Sequence, residues 1–78
     1  MICKTKNGIE LNVVDLPDVG ENEGGVFCEV YSVDDTNYDN VLDYIVVHRE
    51  DVDCSNDEAV EKYIKDYIHN LEIFPLAR

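Results

Sequence analysis

Seventy-eight residues, eighteen of them Asp or Glu and six Lys or Arg, give a formal net charge of −12. A chain of this length makes one domain, residues 1–78, burying only about 60% of the surface its unfolded form exposes, so a large enclosed substrate pocket is not expected. Such an acid excess also argues against direct binding to nucleic acid.

Asn7-Gly8 between two apolar-bearing segments is a hairpin signal. Two registers compete. A two-residue loop sets Lys6 opposite Ile9 and Lys4 opposite Leu11. A three-residue loop over Lys6, Asn7 and Gly8 sets Thr5 opposite Ile9, Cys3 opposite Leu11 and Met1 opposite Val13. The second register gathers Met1, Cys3, Ile9, Leu11 and Val13 on one face and puts Lys4 across from Glu10 on the wet face, so it is preferred.

Residues 16–25 read as a loop, punctuated by Pro17, Gly20, Gly24 and Gly25 and carrying three acids. Residues 26–33 hold Val26, Phe27, Val30, Tyr31 and Val33, a strand with apolar groups on both faces and therefore placed inside the sheet. A polar turn spans 34–40. Residues 42–49 follow, with Ile45-Val46-Val47 at their centre. A helix beginning near Thr36 or Asp39 is the rival reading, but three consecutive β-branched residues favour a strand.

The last element is a helix. Ser55 with Glu58 three residues on forms a capping box, and Val60, Tyr63, Ile64, Tyr67, Ile68 and Leu71 recur on one face. Glu58–Lys62 and Glu61–Lys65 are spaced for ion pairs on the other face. Tyr63 and Tyr67 are expected in the core with their hydroxyls at its rim, and Pro75 prevents extension. The fold class is α+β: an antiparallel sheet of about four strands, ordered β-β-β-β-α, with one C-terminal amphipathic helix packed on one face.

Cys3, Cys28 and Cys54 are odd in number and irregularly spaced, and the N-terminus Met-Ile-Cys-Lys-Thr-Lys carries no apolar signal stretch. Free thiols in a reducing cytoplasm are the expectation. No run reaches the ~20 apolar residues of a membrane span.

Specific chemistries fail on residue spacing and on charge. Asp35-Thr36-Asn37-Tyr38-Asp39-Asn40 copies the first half of a calcium loop, but Val46 stands at the twelfth position, where Glu should close it. Asp51, Asp53, Ser55 and Asp57 form a second oxygen-rich alternation, also without a closing Glu. Both suit an Asx-type turn and a helix entry. His48 and His69 form no pair, and no C-x-x-C occurs, so no metal ligand set is assigned. Cys3 and Cys28 fall on strands as packing residues, and Cys54 stands among Asp51, Asp53, Asp57 and Glu58, which oppose a thiolate nucleophile. Glu21 and Glu23 would repel phosphate from the glycines around them. No catalytic group and no cofactor are assigned.

What remains is the distribution of charge. No Lys or Arg lies between Asn7 and His48, a stretch holding ten of the eighteen acids. The expected partner is a basic protein surface, in particular one that holds nucleic acid, and the expected contacts are Glu21, Glu23, Asp34, Asp35, Tyr38, Asp39 and Asp43. Carboxylates pair with the Lys and Arg of such a rim, and the Tyr38 ring adds contact area. By analogy of size and composition alone, the expectation is a DNA-mimic-like inhibitor, such as a phage-encoded anti-CRISPR or anti-restriction protein. A homodimer or structural subunit, using its acids for solubility alone, is the alternative.

Overall fold

A computed structural model describes residues 1–19 and 24–71. The elements are β1 (Ile2–Lys4), β2 (Glu10–Asp15), β3 (Gly25–Ser32), β4 (Asp43–His48) and α1 (Asp57–Asn70). The strands form one antiparallel sheet in the order β1-β2-β3-β4, so each pairs with its neighbour in the chain. This is the expected α+β arrangement. It also places β3 inside the sheet and makes 43–48 a strand.

The β1–β2 hairpin takes the three-residue loop. Cys3 opposes Leu11 and Lys4 opposes Glu10, while Met1 and Val13 exchange main-chain bonds of 2.9 and 2.7 Å. Gly8, with φ +86°, supplies the left-handed residue that this loop requires. Thr5 is buried but satisfied: its Oγ1 accepts the Ile9 amide at 3.1 Å.

Alternation along the strands sends Cys3, Leu11, Val13, Cys28, Val30, Ile45 and Val47 to one face, where Ile64 and Ile68 of α1 complete the core. Ile9, Val26, Val52, Cys54, Val60, Tyr67 and Leu71 pack around its border. All three thiols are free. Cys28 is pushed up to about 11, chiefly by burial and then by the Asp15 charge; burial also raises Cys3.

Several details differ from the sequence expectation. The helix cap is Asn56 and not Ser55: the Asn56 Oδ1 accepts from the Glu58 and Ala59 amides at 3.1 and 3.2 Å. Ser55 turns its hydroxyl and its amide to Asp53 Oδ1 instead. Lys62 pairs with Asp66 at 2.7 Å and not with Glu58, whereas Lys65 meets Glu61 at 2.8 Å as its spacing suggests. Tyr63 is solvent-exposed, because Ile64 and Ile68 take the centre of the helix face and leave it on the flank. Met1 lies 45% exposed at the strand end. Within 16–25, residues 17–19 are helical and Gly25 belongs to β3. The Arg49 amide and Nε both donate to the Gly24 carbonyl, at 3.1 and 3.0 Å, which pins the return of that segment. The β1–β2 loop is tied to the end of α1: the Lys6 amide donates to the His69 carbonyl at 3.0 Å. No helix among the described residues is long and apolar enough to cross a membrane.

Candidate interaction surface

The turn after β3 brings Asp34, Asp35, Tyr38 and Asp39 together. Asp35 organises it, accepting from the Asp39 amide at 3.1 Å and the Asn40 amide at 2.9 Å. Those two bonds, Asp39's first, hold its carboxyl below the usual carboxylate range. The calcium-like spacing thus closes on the chain's own backbone. Asp53 does the same before α1, its carboxyl lowered mainly by the Ser55 hydroxyl. Among the described residues no group of three or more His, Cys, Asp or Glu has a geometry that holds a metal.

Tyr38 adopts φ +57°, a left-handed conformation uncommon for a bulky side chain. Its ring meets Tyr31 edge-on, with centroids 5.0 Å apart, although Tyr38 itself stays 52% exposed. The Tyr31 hydroxyl donates to Glu29 Oε1 at 2.8 Å, and that bond, followed by burial, pushes its pKa up to about 12. Tyr38 therefore joins the acidic turn to the sheet face that carries Glu29 and Tyr31.

Asp43 is placed apart from this group. Its Oδ2 accepts the Tyr67 hydroxyl at 2.8 Å, on the helix side of the sheet, and its Oδ1 accepts the Tyr44 amide at 2.8 Å. Burial and then this bond raise the Tyr67 pKa. Asp34 and Asp39 stay exposed. Glu21 and Glu23 lie outside the described residues.

Sequence reasoning marked the sheet's second face only by the Lys4–Glu10 pair, as the wet side of the hairpin. One helix covers one face, and no described element covers the other, which presents Ile2, Asn12, Val14, Phe27, Glu29, Tyr44 and Val46, with Lys4 and Glu10 at its edge and Tyr31 buried against the Tyr38 ring. Phe27 and Tyr44 are in tilted ring contact at 5.6 Å, and Tyr44 is 51% exposed. The signal was present: β3 is apolar on both sides, yet the described residues hold a single long amphipathic helix.

A groove of about 620 Å³ lies at the other end of the sheet, lined by Asp15, Gly25, Val26, Arg49, Asp53 and Cys54 among others. Arg49 there is engaged with Gly24, and Cys54 directs its thiol to the Val47 carbonyl at 3.7 Å. Among the described residues the Val47 carbonyl is the hydrogen-bond partner of that thiol. Comparison with protein-family models, with characterised proteins and with solved structures returned no match.

Proposed function

We propose that the protein binds a cationic protein surface of the kind that holds nucleic acid, and so acts as a small cytoplasmic inhibitor of its target, in the manner of a DNA mimic. One observation carries this reading: no Lys or Arg occurs from Asn7 to His48, while ten carboxylates do. Duplex DNA presents roughly 18 charges along ~30 Å, and a net −12 on a domain of about that diameter competes in the same range. Phage-encoded anti-CRISPR and anti-restriction proteins fit this size and charge.

The test uses the immobilised protein and a nucleic-acid-depleted lysate at low salt. Retained proteins are expected to elute when duplex DNA is added and when salt is raised. For a target so identified, Asp34→Asn together with Asp39→Asn slows association, because exposed charges steer encounter; these two acids are chosen so that the Asp35-centred turn survives. Retention that DNA cannot displace overturns the reading.

A further inference from the structure

We infer that the sheet face left uncovered by the described residues is where the partner docks, and that its centre, Glu29 beside Tyr44, seats an arginine of that partner. This rests on the cationic partner proposed above and moves the principal contact from the 34–43 turn to the sheet.

The register fixes the layout. Glu29 lies opposite Val14 on one side and Tyr44 on the other, and Phe27 lies opposite Val46. Neighbouring strands are ~4.8 Å apart, so Val14, Glu29 and Tyr44 span about 10 Å in a single row. Glu29 is thus a half-buried carboxylate within an apolar and aromatic surface. Tyr31 takes one bond to it, and a carboxylate has about four acceptor sites, so capacity remains for a donor arriving from above.

Complementarity selects the occupant. A second copy of this chain brings another −12, and opposed like charges cost energy. Nucleic acid and anionic lipid are repelled for the same reason. A purely apolar partner would strip water from Glu29 without replacing it, leaving a buried unpaired charge. A guanidinium answers both parts of the surface: it pairs with the carboxylate in its own plane and stacks on the exposed Tyr44 ring, which a lysine ammonium does less well.

The experiment measures binding of two labelled fifteen-residue peptides of equal charge, one arginine-rich and one lysine-rich, at low salt. The arginine peptide is expected to bind more tightly. Tyr44→Ala and Glu29→Gln each weaken it by roughly three- to fivefold or more, and Tyr44→Phe retains most of the affinity. Amide shifts on titration centre on Val14, Glu29, Tyr44 and Val46, and amide spectra of the free variants verify that each is folded. If Tyr44→Ala and Glu29→Gln bind as wild type while Asp34→Asn with Asp39→Asn binds weakly, the sheet-face inference is overturned and the cationic-partner reading stands. If neither peptide binds, both fall. A dimer in sedimentation that Tyr44→Ala dissociates identifies a second copy as the occupant and likewise overturns the inference.

Discussion

Removing a single oxygen at Tyr67 tests how the helix is locked to the sheet. Its hydroxyl reaches Asp43 Oδ2 at 2.8 Å across the helix–β4 contact. A hydrogen bond to a charged partner contributes about 1.5–3 kcal/mol when well buried. Both residues here are half-buried, and water partly replaces the bond, so about 1 kcal/mol is the appropriate figure. In a domain of this size that lowers Tm by about 4–8 °C. Tyr67→Phe should therefore melt a few degrees below wild type by circular dichroism. Asp43→Ala should cost more, since it also releases the Tyr44 amide held at 2.8 Å. The double variant should be less destabilised than the sum of the two by about 1 kcal/mol, the coupling that a direct contact gives. Strict additivity would refute the argument, because it would mean that the two side chains do not act on one another.

Other perturbations follow from the same structure. Gly25→Ala should destabilise by about 1–3 kcal/mol or more in chemical denaturation, since a Cβ there collides with the Val47 carbonyl of the facing strand; wild-type stability would contradict the strand approach. Asp35's carboxyl is depressed, so its contribution is present above the unfolded value near 4 and lost as pH falls through the folded one. Exchange of the Asp39 and Asn40 amides should accelerate there, and Asp35→Asn should accelerate it already at neutral pH; unchanged exchange in both would refute this. Cys28 behaves oppositely: keeping it neutral stabilises the fold fully below pH 9 and progressively less as pH rises through about 11. Native alkylation at pH 8 should mark Cys54 well before Cys28, and equal labelling would contradict the packing.

Much of this architecture could be read from local chemistry. The hairpin register follows from Gly8 together with the demand that Cys3, Leu11 and Val13 share a face, because a slip of one residue would expose all three. Ile45-Val46-Val47 settled strand against helix by rotamer entropy. The errors arose where two residues of equal aptitude compete. Ser55 and Asn56 both suit a cap, and Asp53 draws off the Ser55 hydroxyl. Lys62 has an acid four residues away on either side and takes Asp66. The candidate surface was legible only in part. Its acids are plain in the sequence, but that Asp35 binds its own backbone and Asp43 answers Tyr67 depends on tertiary placement. The sheet face that no described element covers was hidden because apolar residues on both sides of β3 suggest burial, whichever face is covered.

The placement of α1 has a final consequence. This helix is the only described element lying over Leu11, Val30 and Ile45, and a connection of residues 49–56, most of it solvent-exposed, attaches it to β4. A proteolytic cut there, followed by loss of the helix, would strand a four-strand sheet with no described element over either face, and no subset of these strands has a hydrophobic interior of its own. Folding and nicking of the molecule should consequently be all-or-none.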